Sequence, residues 1–188
     1  MKKRTAFISG ISMLFLLNSL ATSAQKPSVQ GLPKVEAGLG GFGGAYEAKL
    51  GRKFSIDLGA GIGGRYEIYN YTFAYIIADS RSWIPALYMQ VNPRFYYNLS
   101  RRDVKGKIIA NNSGNFFGLK IKVAPHTAQI NPGALINFHW GLQRAYGRSN
   151  KWLFNTHVGL GYGGNIGKGG SEGMIYPSID AKFAYRIF

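Results

Sequence analysis

The sequence predicts an all-β protein, an antiparallel up-and-down transmembrane β-barrel, and three observations lead to this prediction. Apolar and polar residues alternate with a period of two in one segment after another, as in strands with one apolar face. Beyond the N-terminal segment, no stretch has the period of a helix or the length of a transmembrane helix. The 188 residues include 26 glycines, 14% aromatic residues and no cysteine, which suits barrel strands without disulfides.

The first 24 residues are predicted to be a signal peptide rather than part of the barrel. Three basic residues at positions 2–4 precede a mostly apolar run over 6–21, and small residues at 22–24 precede Gln25. This order of charge, apolar core and small residues is typical of a cleaved secretory signal. The apolar run is short and interrupted for a membrane anchor. We therefore place the barrel domain at residues 25–188, exported to the cell outer membrane.

The chain is strongly basic, with a formal net charge of +15. In an exported protein, this charge favours anionic lipid headgroups over nucleic acid as the counter-charge. The expected partners are outer-membrane lipids and, during biogenesis, the barrel-assembly machinery. No nucleic acid is expected, and the sequence leaves the oligomeric state open.

Six segments alternate clearly between an apolar and a polar parity. In one of them, Leu87, Met89 and Val91 are opposed by Gln90 and Asn92. In a membrane barrel, the apolar parity faces lipid and the polar parity faces the lumen. The six segments are 54–68, 84–98, 115–123, 134–146, 152–163 and 175–188.

The segment 35–50 determines the strand count. Its apolar residues occupy odd positions from 35 to 39 and even positions from 46 to 50, so the parity changes around 40–44. A turn there gives two short strands and eight in all, whereas a bulge gives one long strand and seven. Bacterial single-chain barrels have an even number of strands, so we expect eight.

With the C-terminus in the periplasm, the connections alternate between the two sides of the membrane. The long connection 99–114 then lies in the periplasm and forms a basic turn with Arg101, Arg102, Lys105 and Lys107. Contact with anionic headgroups and a solvated turn that orients the barrel both agree with this composition.

These features resemble the small outer-membrane barrels of the OmpX, OmpA and opacity-protein type. The stretches 92–99 (NPRFYYNL) and 112–116 (NSGNF), with the basic residues between them, resemble a poorly characterised barrel family common in Bacteroidota. The resemblance implies a fold and an outer-membrane location, but no activity and no catalytic residue. The sequence departs from this resemblance at the C-terminus. Such barrels usually end in Phe with an aromatic or apolar residue two positions earlier, whereas here Arg186 lies two positions before Phe188.

Charged residues of the polar parity are predicted to fill the lumen. An eight-stranded barrel is only wide enough to be filled by side chains, and buried charges need partners. A filled lumen is therefore favoured, with a narrow path for ions or small solutes as the alternative. The predicted lumen charge network comprises Glu47, Asp57, Arg65, Glu67, Arg94, Lys120, Lys122, Asp180, Lys182 and Arg186.

His139 and His157 form a weak candidate pair for a metal. A three-residue loop that pairs Tyr146 with Asn150 sets the two histidines directly opposite each other, both facing inward. Two histidines alone are not a structural zinc site, because such a site normally has four ligands. Hydrogen-bonded lumen histidines are the alternative, and no metal site or cofactor is predicted.

No enzyme is predicted from this sequence. Ser171 and Glu172 share a loop, but no histidine has an evident place beside them to complete a hydrolytic triad. The expected function is that of an outer-membrane protein of structural or interaction type with surface-exposed loops. A narrow pore is one alternative, and a soluble, periplasmic, lipocalin-like ligand-binding barrel with its apolar parity inward is another.

Overall fold

The computed structural model describes residues 27–39, 41–63, 65–69, 72–76, 87–124, 133–165 and 173–188, with side chains except at 65–69, 72–76 and 165. The predicted signal peptide lies outside these residues, as do Ser171 and Glu172. The strands are β1 (Leu32–Gly38), β2 (Gly41–Lys49), β3 (Phe54–Ile62), β4 (Arg65–Tyr69), β5 (Thr72–Ile76), β6 (Leu87–Tyr96), β7 (Asn115–Ala124), β8 (Gly133–Tyr146), β9 (Trp152–Asn165) and β10 (Gly173–Arg186).

Eight of these strands close into one antiparallel barrel. The strand order is β1-β10-β9-β8-β7-β6-β3-β2, and β2 returns to β1. Each barrel strand pairs with the next one along the chain, β1 pairs with β10, and the hairpin of β4 and β5 is inserted between β3 and β6. The predicted all-β, up-and-down barrel of eight strands is confirmed.

The parity change in 35–50 results from a turn. β1 and β2 pair continuously from Leu32 opposite Glu47 to Gly38 opposite Gly41, which leaves no extra residue for a bulge. Gly41 has φ 108°, a backbone conformation that favours glycine. The tight turn therefore separates two short strands, and each strand keeps its own apolar parity on the outside.

Two sequence predictions about secondary structure are wrong. The segment 54–68 is not one strand, because β3 ends at Ile62 and Gly63 turns the chain with φ 92° into a separate hairpin. A short helix α1 (Leu99–Val104) and a 3₁₀ turn (Ala110–Asn112) also lie in the long connection where no helix was expected. Six residues are too few to show a helical period. Across the described residues, no helix has the length and apolarity needed to cross a membrane.

The barrel has two distinct ends. The terminal end holds the C-terminus and the connections 50–53, 97–114 and 147–151. At the opposite end, here called the loop end, β1, β3, β7 and β9 finish and β2, β6, β8 and β10 begin. The β4–β5 hairpin lies between β3 and β6 in the sequence.

The barrel wall is apolar outside and polar inside. Charged and amide side chains from β1, β2, β3, β6, β7, β8, β9 and β10 are buried in the lumen. On the outer face, Phe138 is 63% exposed, Leu160 66% and Ile179 64%. This polarity is the inverse of a soluble barrel, in which apolar side chains fill the interior.

Glycines on the inner face make room for large neighbours, and Gly161 on β9 provides a test. A Cβ atom at Gly161 would overlap with the side chains of Asn137 and Tyr176, whereas a Cβ at Gly44 meets no atom within 4 Å. We expect Gly161→Ala to lower the free energy of unfolding by about 1–3 kcal/mol through overpacking. Gly44→Ala is the matched control, and urea unfolding measures both. Equal unfolding midpoints would contradict the close packing described at Gly161.

The lumen as candidate functional site

A cluster of buried polar side chains surrounds Glu47 and Arg94 in the lumen. Glu47 Oε1 accepts hydrogen bonds from Ser55 Oγ (2.6 Å) and Tyr96 Oη (2.9 Å). Arg94 donates from Nη1 to Glu47 Oε2 (3.4 Å) and from Nη2 to Asp57. The side chains of Glu47, Asp57 and Arg94 are almost completely buried. One guanidinium thus serves two carboxylates, which is the arrangement that offsets the cost of burying these charges.

The Arg94 guanidinium also has neutral neighbours. Its Nη1 donates to Gln143 Oε1 at 3.2 Å, and its Cζ lies 4.7 Å from the centre of the Phe116 ring. Gln143 Oε1 also accepts from Asn155 Nδ2 at 2.9 Å. The cluster therefore joins β2, β3, β6, β7, β8 and β9 across the inside of the barrel.

Ion pairs continue from this cluster toward the loop end. Lys34 Nζ lies 3.0 Å from Asp57 Oδ1 and 4.0 Å from Glu36 Oε2. Lys182 Nζ lies 2.6 Å from Glu36 Oε1 and 3.9 Å from Asp180 Oδ2. Lys120 Nζ then lies 2.8 Å from Asp180 Oδ2. Charges of opposite sign therefore alternate along the lumen.

Lys122 and Tyr176 are placed closer to the loop end. Lys122 Nζ lies 4.2 Å from the centre of the Tyr88 ring, a cation–π geometry. Tyr176 donates its hydroxyl hydrogen to Asn137 Oδ1. Aromatic and amide side chains thus surround Lys122 in this part of the lumen.

The long connection 97–114 folds into the terminal end of the barrel. Asn111, Asn112 and Ser113 are almost fully buried, and the two asparagines have φ 51° and 56°. Asn112 Oδ1 accepts from the backbone N–H of Gln30 (2.7 Å), and its Nδ2 donates to the Gln30 carbonyl (3.0 Å).

The wall of the barrel holds the same segment from the other side. Gln143 Nε2 donates to the Asn111 carbonyl (2.9 Å), and Ser113 Oγ accepts from the backbone N–H of Ala145 (2.7 Å). Beside these contacts, Val29 and Leu99 pack with Tyr96 and Phe116 in a small apolar cluster. Backbone, amides and apolar side chains together fill the terminal end.

The two histidines meet, but not in the predicted register. Tyr146 pairs with Trp152 instead of Asn150, so His139 is opposite Gly159 and His157 is opposite Gly141. The histidines are diagonal neighbours on the inner face, and their ring centres are 4.1 Å apart. The predicted direct opposition is wrong because the loop between β8 and β9 holds five residues (147–151) instead of three.

The pair lacks the surroundings of a metal site. Asp180 on β10 is opposite His157, and its carboxylate pairs with Lys120 and Lys182. Within the part of the chain that the structure describes, no group of three His, Cys, Asp or Glu side chains is arranged to hold a metal ion. The histidines therefore form part of the packed lumen.

The structure places the predicted lumen residues in three environments. Seven of the ten are buried inside the barrel: Glu47, Asp57, Arg94, Lys120, Lys122, Asp180 and Lys182. Arg65 and Glu67 belong to β4, outside the closed barrel, and their side chains lie outside the described residues. Arg186 is half-buried at the terminal end, where it donates to Asn111 Oδ1 (2.8 Å) and to the Phe188 carbonyl. Arg65 and Glu67 thus belong to a hairpin beyond the end of β3, whereas Arg186, the last residue of β10, lies at the terminal-end mouth of the lumen.

Two lumen charges were missed from the sequence. Lys34 and Glu36 point inward from β1 and take part in the ion-pair chain. Their signal was present, since both occupy even positions that alternate with the apolar Val35 and Ala37. β1 has only 7 residues, so the alternation between its apolar and charged positions is too short to be recognised easily.

The fold and lumen define a class of protein: a closed eight-stranded barrel with a charged, ion-paired interior and an apolar outer face. No protein-family model matches the chain, and no curated protein or solved structure is significantly similar to it. The resemblance to small outer-membrane barrels therefore stays a prediction from the sequence.

Proposed function

We propose that this chain is a non-catalytic outer-membrane β-barrel of structural or interaction type, with a filled lumen and surface-exposed loops. The observation that carries the proposal is the inverted polarity of the wall. Among the residues that the structure describes with side chains, nine charged ones are buried in the lumen, while large apolar side chains occupy the outer face of every barrel strand. Lipid is the solvent in which such a face is stable.

The outer face argues against a soluble barrel. Monomeric soluble proteins rarely expose an apolar patch larger than a few hundred Å². Here apolar residues follow one another around the circumference, from Val35 on β1 through Val91 on β6 to Ile179 on β10. A lipocalin-like protein needs an apolar interior for its ligand, whereas this lumen is occupied by ion pairs.

Strand length and closure support the same assignment. A transmembrane strand needs about 9–11 residues when tilted. β2 and β3 have 9 residues, β6 and β7 have 10, and β8, β9 and β10 have 14, while β1 alone has 7. Closure pairs β1 with β10, from Lys34 opposite Arg186 to Gly38 opposite Lys182, and a closed barrel is the form in which β-structure is stable in hydrocarbon.

The first test is the physical state of the barrel in the cell. We expect the mature chain in the outer-membrane fraction, extracted only by detergent. On gels, the unheated sample should migrate differently from the boiled one, because a closed barrel resists unfolding by detergent. Recovery of the protein in the soluble fraction after osmotic shock would overturn the membrane assignment.

The second test separates a filled lumen from a pore. The ion pairs around Arg94 and the buried segment 111–113 obstruct the path between the two ends. We therefore expect no channel conductance from the purified barrel in planar bilayers, with a known porin as the positive control. Discrete conductance steps would instead support the narrow-pore alternative.

A further inference from the structure

Basic side chains are concentrated at the terminal end of the barrel. The terminal-end connections carry eight basic side chains and one acidic side chain, that of Asp103, whereas the sequence of the segments 39–40, 63–86, 125–132 and 166–172 contains three residues of each sign. The eight, here called the basic collar, are Arg52, Lys53, Arg101, Arg102, Lys105, Lys107, Arg148 and Lys151, and all of them are exposed or half-buried.

The segment 101–108 of the collar forms the end of the short helix α1 and a hydrogen-bonded turn after it. Arg102 donates from Nη2 to the Ile108 carbonyl (2.8 Å), and the Arg102 carbonyl accepts from the N–H groups of Lys105 (3.1 Å) and Lys107 (2.9 Å). Leu99, at the start of α1, is buried in the apolar cluster with Val29, Tyr96 and Phe116 at the terminal end of the barrel. Hydrogen bonds to backbone carbonyls and the buried side chain of Leu99 thus fix the conformation of this turn.

This turn presents apolar side chains among its charges. Val104 is 88% exposed and Ile108 49% exposed. Their neighbours in the sequence include Arg101, Lys105 and Lys107. An exposed aliphatic tip surrounded by basic side chains is the combination that binds at the interface of an anionic membrane.

The collar is continuous with the apolar outer face. Trp152 pairs with Tyr146 on one side and Tyr185 on the other, and the Trp152 and Tyr185 rings are 5.0 Å apart. All three are exposed on the outside of the wall and lie next to the basic connections. Tyrosine and tryptophan at this position are typical of the boundary between hydrocarbon and headgroups.

We propose that the basic collar docks onto anionic phospholipid headgroups of the leaflet at the terminal end, with Val104 inserted between them. This inference rests on the proposed membrane location. The attraction is electrostatic, and it acts over a screening length of about 8 Å at physiological salt and about 3 Å in 1 M salt. Docking should therefore depend on the charge of the lipid and on the salt concentration.

The absence of cysteine from the sequence permits a direct test. A Val104→Cys chain, labelled with an environment-sensitive fluorophore, is inserted into bilayers of phosphatidylcholine alone or with phosphatidylglycerol. We expect a blue-shifted emission and quenching by lipid-borne quenchers only in the anionic bilayer, and loss of most of both effects in 1 M salt.

Charge variants in the labelled background provide the matched comparison. R101Q/K105Q/K107Q should lose the blue shift, while R101K/K105R/K107R, which keeps the charge, should retain it. Identical emission in both bilayers, with the barrel inserted in each, would overturn this inference and leave the proposed function intact. A blue shift produced only by soluble polyglutamate would overturn it in favour of an acidic macromolecular partner. A chain that enters neither bilayer would overturn both proposals.

Discussion

Replacing Arg94 by methionine is expected to lower the free energy of unfolding of the barrel by about 3–5 kcal/mol. Methionine replaces the aliphatic stem of the arginine side chain, but it leaves the carboxylates of Asp57 and Glu47 without their shared guanidinium partner. Breaking a buried ion pair by removing one side is costly, because buried charge is left without sufficient compensation. Here the single ammonium of Lys34, 3.0 Å from Asp57 and 3.9 Å from Glu47, is left to face both carboxylates. Urea unfolding in detergent micelles, followed by tryptophan fluorescence, measures the change.

The control for this variant is Arg148→Met, which removes an exposed arginine from the 147–150 turn and should leave the unfolding midpoint unchanged. A double variant, Arg94→Met with Glu47→Gln, should recover part of the lost stability, because it removes one of the two carboxylates that lose the guanidinium while Asp57 keeps Lys34 as its partner. A loss below about 1 kcal/mol for Arg94→Met would show that the lumen network does not hold the barrel together.

Placing a charge on the outer face is expected to have the second largest effect. Leu160 lies near the middle of β9, opposite Phe138 on β8 and Pro177 on β10. Leu160→Arg should destabilise the barrel in a lipid bilayer by about 2–4 kcal/mol, the cost of a basic side chain near the bilayer midplane. Reversible urea unfolding from phospholipid vesicles measures this difference.

The comparison variant is Ser149→Arg, which adds the same charge to an exposed turn at the terminal end and should be neutral. If Leu160→Arg is equally neutral in the bilayer, the outer face does not contact hydrocarbon. In a soluble barrel, the same substitution would replace an exposed apolar side chain and reduce aggregation. The sign of the effect therefore distinguishes the two environments.

The alternation of apolar and polar residues is enough to assign many side chains to the lumen. Asp57, Lys120 and Lys182 could be assigned to the interior from parity alone, because successive strand residues point to opposite faces. Parity says nothing about where a strand ends, so Arg65 and Glu67 were assigned to a wall that stops at Ile62. Strand ends depend on the conformation of residues such as Gly63, whose positive φ is not determined by composition.

The ion-pair and hydrogen-bond partners across the lumen could not be predicted from the sequence. Arg94 and Glu47 are 47 residues apart, and Lys182 and Glu36 are 146 apart. Likewise, the burial of 111–113 inside the terminal end depends on contacts with Gln30 and Gln143. Such contacts follow from barrel closure and from the register of each pair, and a loop of five residues instead of three was enough to shift the histidines.

The sequence by itself determined the kind of barrel, because a period of two with constant polarity is a local property of each strand. It also indicated eight strands in the barrel once the parity change at 40–44 was interpreted as a turn, although it did not reveal the additional β4–β5 hairpin. Only the tertiary structure decided which charges pair, where the wall ends, and that the long basic connection enters the barrel while presenting Val104 outside. Those features depend on closure and register, which bring residues distant in the chain to within hydrogen-bonding distance.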